Sequence, residues 1–357
     1  MALLRLPPET LTHIFDYVGS SFFREDLGRL TVCKYWFEFA LPACFKHVTV
    51  SEKSLRRLMV SGRMERLWRL EGNMEKLEIG VPGYEAFFYD DSQENTEPRQ
   101  ESNASIATTT TTTSDETPRD WKDWAKVLND DLSQLAITAQ RSCRLRTLRI
   151  RAWRSAEFFV PGLARDYLLI PTLQSLLSVK RLKVLVLDLS IGVLTSPRED
   201  GRDHHICPMV GNLLCSLQIL HLRMPSICAD AIKPRDEKEM LPLAQVAINL
   251  SVSNNIFGEM PTSHSQHCGS QGERWSQLQL RAEMLKQAEV LATRMSSPKT
   301  MRIITHSLPS FERHSLDVLT GKTMKLDDGM GWEEDGEIIG QDSEPESEIS
   351  SDDFSDF

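Results

Sequence analysis

The sequence lacks any apolar run of about 18 residues, the minimum for a membrane-spanning helix. Pro7 and Pro8 interrupt the N-terminus before a hydrophobic signal core can form. We therefore expect a soluble protein of the cytoplasm, the nucleus or both, with no membrane partner. The seven cysteines are odd in number, dispersed and mostly set among apolar neighbours, which predicts reduced core thiols rather than disulfides.

Basic residues are absent from residues 327–357, which contain 13 acidic residues. The whole chain has 41 Lys and Arg against 51 Asp and Glu, so the remaining residues carry a net charge of only +3. The formal charge of −10 argues against nucleic acid as a partner, although the acidity belongs to the tail and not to the body. The basic clusters of the body have the spacing of solvent-facing sides of a helix and a strand. The acidic stretch has few large apolar residues, and we predict that it is a disordered tail.

Catalytic motifs are also missing. The sequence has no nucleophile elbow, no His-Glu-x-x-His helix and no dinucleotide-binding Gly-x-Gly-x-x-Gly loop. We predict no catalytic residues and no cofactor. An enzyme with an unrecognised site in residues 121–320 is an alternative that no motif supports.

Two short stretches contain histidine and cysteine together, and imidazole and thiolate are good zinc ligands. Neither stretch has a Cys-x-x-Cys pair, nor a second half at a finger-like spacing. We therefore interpret them as loop residues and predict no metal site. The two stretches contain His204, His205 and Cys207, and His264, His267 and Cys268.

The first 45 residues carry the start and stop signals of three short helices. Four apolar residues from Leu11 to Val18 recur at i, i+3, i+4 and i+7, after two prolines and before Gly19, which predicts a first helix. A second is predicted over residues 25–30, and a third over 32–41, ending before Pro42. About 40 residues make a poor core alone, so the rest of the chain or a partner must cover part of this surface.

Several of these residues occur in an order that resembles the F-box, a trihelical motif that docks onto a Skp-family adaptor. The resemblance covers about residues 3–48. The segment 19–24 is bulkier than the family's usual Leu-Pro connection, and Phe37 stands where a basic residue is more usual. The matching residues are Leu6-Pro7-Pro8-Glu9, Leu11, Ile14-Phe15, Tyr17-Val18, Asp26-Leu27, Leu30, Val32-Cys33-Lys34 and Trp36.

The resemblance implies a non-catalytic subunit of a Skp–cullin–F-box ubiquitin ligase. Its partners would be the Skp-family adaptor, cullin through that adaptor, and an unidentified protein substrate. One alternative is a scaffold or regulator outside any ligase, and another is a helical cap packed on its own chain. The adaptor-binding residues that the resemblance implies are Leu6, Pro7, Pro8, Leu11, Ile14, Phe15, Leu27, Leu30, Val32, Cys33 and Trp36.

The pattern Leu-x-x-Leu-x-Leu recurs through the rest of the chain and predicts short strands alternating with helices. Three clear copies begin at Leu145, Leu182 and Leu217, and weaker copies begin at Met74 and Leu243. Their separations of 37 and 35 residues exceed the ~20–29 residues of regular leucine-rich repeats, so the resemblance to that family is a degenerate one. Stacking of such units predicts a curved parallel sheet with a concave partner-binding face.

The predicted fold class is therefore α/β, with an N-terminal trihelical F-box and an irregular leucine-rich-repeat-like solenoid. An ordinary α/β domain with leucine-rich buried strands is the alternative. We expect the longest helix at residues 274–295 and a loop at 253–273. The predicted divisions are an adaptor-binding domain (1–50), a linker with a first repeat-like unit (51–89), a disordered Thr-rich insert (90–119), a substrate-binding domain (120–326) and an acidic tail (327–357).

Overall fold

The structure, a computed structural model, describes most of the chain outside the predicted insert and the end of the tail. The insert 90–119 therefore lies outside the described residues. Among the described residues, no helix is long and apolar enough to cross a membrane. The described ranges are 5–62, 72–83, 121–153, 167–190, 193–194, 205–236, 239–252, 264–268, 276–306, 312–327 and 329–339.

Seven α-helices occur in the part of the chain that the structure describes. The first two form an N-terminal helical module, with a 3₁₀ turn at Leu27–Leu30 between them. A second 3₁₀ turn spans Ala229–Ile232. The helices are α1 Pro8–Glu25, α2 Lys34–Cys44, α3 Glu52–Val60, α4 Trp121–Arg141, α5 Ile170–Leu177, α6 Cys207–Leu213 and α7 Gln277–Ala292.

The strands form one ten-stranded sheet and two small two-stranded sheets. Those of the large sheet are β1 His47–Ser51, β2 Lys76–Pro82, β3 Thr147–Trp153, β5 Val184–Leu189, β7 Ile219–Arg223, β9 Gln245–Asn249, β11 Thr300–His306, β12 Arg313–Asp317, β13 Thr323–Leu326 and β14 Glu337–Ile338. The small sheets pair β4 Leu168–Leu169 with β6 Val193–Leu194, and β8 Ser226–Ile227 with β10 Gln266–His267.

The large sheet follows the order of the chain. Strands β1, β2, β3, β5, β7, β9 and β11 pair in parallel, each with the next, and β12 to β14 continue the sheet in antiparallel pairs. The described strands give an open sheet, not a closed barrel. All five copies of the leucine pattern lie at strands of this sheet, which confirms the strand predictions, including the two weaker copies.

One face of the sheet supplies the core of the body. Alternate strand residues such as Leu148, Leu187 and Ile248 are buried and belong to one apolar cluster with residues of α4, α5 and α7. The alternation has period two, so each intervening residue projects from the opposite face. The leucine pattern therefore gives each parallel strand one apolar face for the helices and one polar face.

Several predicted boundaries differ from the structure. The longest described helix is α4, with 21 residues, and not the segment 274–295, where α7 has 16. Strand β1 crosses the predicted boundary at residue 50, as it pairs with β2 up to Ser51. Part of the predicted loop 253–273 is strand β10.

Part of the acidic stretch that the sequence predicts to be disordered forms regular structure. Residues 329–339 include β14, which pairs with β13. Within this segment, Asp335 binds the buried Arg302, whose guanidinium also donates to the carbonyl of Trp332. The segment is ordered although it has few apolar residues, because its polar groups bind a buried arginine through charge-assisted hydrogen bonds.

Candidate functional site

The N-terminal helical module has an apolar core of its own. Leu11, Phe15, Phe23 and Leu30 are buried in a cluster separate from the core of the body. The Trp36 ring lies edge-on to Phe15, with 4.6 Å between ring centroids. These contacts tie α1, the 3₁₀ turn and α2 into one unit.

Local hydrogen bonds set the ends of the elements in this module. The Asp26 Oδ1 atom accepts from the Gly28 amide at 2.8 Å, at the start of the 3₁₀ turn. The Cys33 thiol accepts from the Trp36 amide at 3.4 Å, which caps α2. The Trp36 indole donates to the carbonyl of Arg29 at 2.7 Å. The residues that carry the family resemblance thus fix the turn between the helices.

The first helix is interrupted at Gly19, where the sequence predicts its end. Gly19 has a φ of 82°, a left-handed conformation that favours glycine. Helical backbone nevertheless resumes and continues to Glu25, because Phe23 fits into the module core. Similarly, α2 continues through Pro42 to Cys44, so the prediction that this proline ends the helix is wrong.

The eleven residues implied by the resemblance fall into three groups by burial. Those in the core of the module are Leu11, Phe15 and Leu30. Those with intermediate exposure are Leu6, Ile14, Cys33 and Trp36. Those exposed to solvent are Pro7, Pro8, Leu27 and Val32. The first group holds the helices together, and the last group is free to contact another molecule.

Exposed apolar side chains concentrate on this module. Of the fifteen large apolar residues exposed among the described residues, seven lie between Tyr17 and Phe37. Tyr17 is 93% exposed and Leu27 is 62% exposed. Such clustering marks an interaction surface far more often than single exposed residues do. The set is Tyr17, Val18, Phe22, Leu27, Val32, Tyr35 and Phe37.

Lys46 joins the helical module to the sheet. Its carbonyl accepts hydrogen bonds from the amides of Glu75 and Lys76, both at 2.9 Å. Its ammonium lies 2.6 Å from Asp16 Oδ1 on α1 and 3.7 Å from Glu75 Oε1. A second link is the hydrogen bond from Arg24 to the Thr49 hydroxyl at 3.3 Å.

The polar face of the sheet carries a second candidate surface. The strand register places Arg151, Asp188, Arg223 and Asn249 in one row across β3, β5, β7 and β9. Asp188 and Arg223 form a buried bidentate ion pair, with N···O distances of 2.6 and 2.9 Å. The Arg223 guanidinium also lies 5.3 Å from the ring centroid of Trp332.

The C-terminal segment 329–339 covers one side of this face. His221 lies beneath Trp332 and near Glu333, at 4.0 Å. Burial lowers the pKa of His221, and the carboxylate of Glu333 offsets only part of that effect. Arg149 and Arg151, by contrast, keep about half or more of their side chains exposed. The face is therefore more open at β3, where the two guanidinium groups lie 3.7 Å from Glu78 and 3.6 Å from Asp188.

One serine–histidine pair lies at the ends of β9 and β11. The Ser251 Oγ and His306 Nδ1 atoms are 2.5 Å apart. Ser251 is only 1% exposed, so its hydroxyl is closed to a substrate. This pair ties two strand ends together and does not offer an accessible nucleophile.

The structure brings together residues from both His and Cys stretches. Ligand atoms of His205, Cys207, Cys228 and Cys268 all lie within 4.8 Å of one another. Cys228 belongs to neither stretch, and no finger-like spacing in the sequence indicates that it joins them. His204 lies outside the described residues, and His264 and His267 make other contacts, with Gln277 and Glu283.

The cysteines of this cluster are free thiols with raised pKa values. The hydrogen bond with Cys207 raises the pKa of the Cys228 thiol well above its ordinary value, and burial adds to the effect. For Cys268, the hydrogen bond with Cys207 lowers the pKa, but that with Cys228 and burial raise it by more, to about 12. Both groups are protonated thiols at neutral pH when no metal is bound.

Comparison with known proteins does not identify a family for the chain. A scan of the sequence against protein-family models finds no match, and no curated protein matches the chain.

Proposed function

We propose that the protein is the substrate-recognition subunit of a Skp–cullin–F-box ubiquitin ligase. The observation that carries the proposal is the helical module, which has its own core and a concentration of exposed apolar side chains. The resemblance to the F-box falls on these same helices. A cap packed on its own chain would share its core with the body, whereas these two buried clusters are separate.

The module would bind a Skp-family adaptor and, through it, cullin. We assign the direct contact to the exposed members of the implied set, Pro7, Pro8, Leu27 and Val32, together with the partly exposed Leu6. Leu11, Phe15 and Leu30 support these residues from inside the module. The protein itself would perform no bond chemistry, because holding a target near a ubiquitin-charged enzyme makes transfer effectively intramolecular.

The target would bind on the polar face of the sheet near Arg149 and Arg151. These side chains are exposed, and they lie on β3, away from the strands that the C-terminal segment covers. Arg149 and Arg151 pair with Glu78 and Asp188, which also bind Lys76 and Arg223. Four positive charges therefore stand against two negative ones, and this excess favours an acidic segment of the target protein. A scaffold outside any ligase is the second candidate, and it would bind the adaptor without cullin.

The adaptor proposal is tested with the full chain, a Skp-type adaptor and a cullin. Burying the exposed fractions of Leu27 and Val32, 62% and 46%, contributes about 2–3 kcal/mol, so Leu27→Ala with Val32→Ala should weaken adaptor binding about 30- to 150-fold. Leu6→Ala with Pro7→Ala should weaken it as well. Leu278→Ala, at a residue 73% exposed on α7, is the matched control and should bind like the wild type.

Three results separate the alternatives. Binding of adaptor and cullin, lost in the Leu27 and Val32 variant, supports the ligase subunit. Adaptor binding without cullin supports the scaffold, and a folded wild type that binds no adaptor refutes both. The target surface is tested by proximity labelling. Target proteins should still be labelled by the Leu27→Ala plus Val32→Ala variant, and the same proteins should be lost with Arg149→Glu plus Arg151→Glu.

A further inference from the structure

The four potential ligands come from three consecutive connections of the parallel sheet. After β5, His205 precedes α6 and Cys207 is the first residue of α6, while Cys228 follows β7, and Cys268 lies between β9 and α7. Strands β5, β7 and β9 are neighbours, and connections that follow parallel strands emerge at the same edge of a sheet. The topology therefore assembles residues that are up to 63 positions apart in the sequence.

A small parallel sheet aligns two of the cysteines. Strand β8 pairs with β10 so that Ile227 lies opposite His267. The residue directly after each strand is a cysteine, Cys228 after β8 and Cys268 after β10. The pairing of β8 with β10 thus holds two thiols side by side, and Cys207 at the start of α6 faces them.

The distances match a tetrahedral metal site. The Cys207 and Cys268 sulfurs are 3.7 Å apart, and the Cys228 sulfur is 3.8 Å from His205 Nδ1. A tetrahedron with Zn–S bonds of about 2.3 Å and a Zn–N bond of about 2.0 Å has edges of about 3.5–3.8 Å. Two of the six edges therefore have about the tetrahedral length, and no two of the four ligand atoms are more than 4.8 Å apart, so small side-chain movements would complete the site.

The donor set selects zinc. Three thiolates and one imidazole form one of the usual structural zinc sets, and they fill all four positions. Cys207 is fully buried, whereas His205 and Cys268 are partly exposed, which leaves a route for the ion. A disulfide would require two sulfurs to approach to about 2.05 Å and would leave the third thiol and the imidazole unexplained.

We propose that His205, Cys207, Cys228 and Cys268 bind one structural zinc ion. Each thiol loses its proton to solvent as its sulfur binds the metal, so occupancy releases three protons. The ion fastens the connections after β5, β7 and β9 to one another at the edge of the sheet. The missing Cys-x-x-Cys pair, on which the metal-free interpretation of the sequence depended, is not required when three connections each contribute to one site.

The test uses the full chain purified without a polyhistidine tag. Mass spectrometry of the metal content should find about one zinc per chain in the wild type. Cys228→Ser and Cys268→Ser should reduce this to less than about a tenth, and His205→Ala should weaken zinc affinity at least about tenfold. Cys143→Ser with Cys215→Ser removes two exposed thiols outside the cluster and should retain the zinc.

A second measurement covers the case in which the cysteine variants fail to fold. The wild type is stripped with a chelator and titrated with Co²⁺, which should produce the strong absorption of thiolate-bound tetrahedral cobalt. Three thiols should become reactive on stripping and protected again when zinc is added. A folded wild type that takes up neither zinc nor cobalt overturns the proposal, as does iron in place of zinc or zinc retained in folded Cys228→Ser.

Discussion

The buried ion pair between Asp188 and Arg223 offers a quantitative test of how the polar face is held together. Both side chains are about nine-tenths buried, and the contact is bidentate. Removing one partner of a buried pair typically costs about 3–5 kcal/mol, because the other charge is left without compensation. Asp188→Asn preserves the shape and one hydrogen-bond acceptor, so we expect a loss near the lower end, about 3 kcal/mol.

The neighbours of the pair make the two single substitutions unequal. Arg223→Met leaves Asp188 with Arg151, whose Nε lies 3.6 Å from Oδ2, so its charge is still partly compensated. It also removes the contact with the Trp332 ring, a cation–π interaction of about 1–2 kcal/mol at a buried site. With Asp188→Asn and Arg223→Met together, no buried charge is left unpaired, so the double variant should lose much less than the sum of the two single losses. About 1–2 kcal/mol of its loss is the missing contact with Trp332.

Urea unfolding followed by circular dichroism gives the free energies for this double-mutant cycle. A loss of about 3 kcal/mol corresponds to a decrease of about 6–12 °C in melting temperature. Glu25→Gln breaks an exposed pair with Arg29 and should cost at most about 1 kcal/mol. The reasoning is wrong if Asp188→Asn costs less than about 1 kcal/mol, or if the double variant loses the sum of the two single losses.

Two further predictions concern packing and pH. A Cβ at Gly211 would lie 2.5 Å from the carbonyl oxygen of Asp230, so Gly211→Ala should cost about 1–3 kcal/mol in urea unfolding, whereas Gly72→Ala, with open space, should cost under about 0.5. Burial lowers the folded-state pKa of His221 below its ordinary 6.5, Glu333 raises it in part, and Arg149 and Arg302 lower it further. Its contribution to stability is therefore full above pH 6.5 and decreases as pH falls through the folded pKa. His221→Gln should flatten this slope between about pH 5 and 7, and an unchanged slope would contradict it.

The fold of the body was largely predictable because its strands carry a local signal. Leu145, Leu148 and Ile150 mark a strand by spacing alone, and the same spacing locates the other strands. The separation of 35–37 residues leaves room for a helix between strands, which favours parallel pairing. Local periodicity was sufficient here because each strand buries one face against the helix next to it in the chain.

The remainder depended on contacts between distant residues. No local pattern shows that Phe23 enters the module core and so continues α1 beyond Gly19. Nothing near Asp335 in the sequence predicts that it binds Arg302. The composition of the tail therefore predicts disorder for a segment that this contact orders. The cysteine and histidine cluster likewise exists only once the order of β5, β7 and β9 is known.

Lys46, which links the helical module to the sheet, affects the geometry of any complex. Its backbone belongs to the β1–β2 ladder, while its side chain binds α1. A rotation of α1 against the sheet would therefore break the Lys46–Asp16 ion pair and the Arg24–Thr49 hydrogen bond. These links favour one orientation of the helices relative to Arg149 and Arg151, so a protein bound to the helices would be held at a defined angle to that surface.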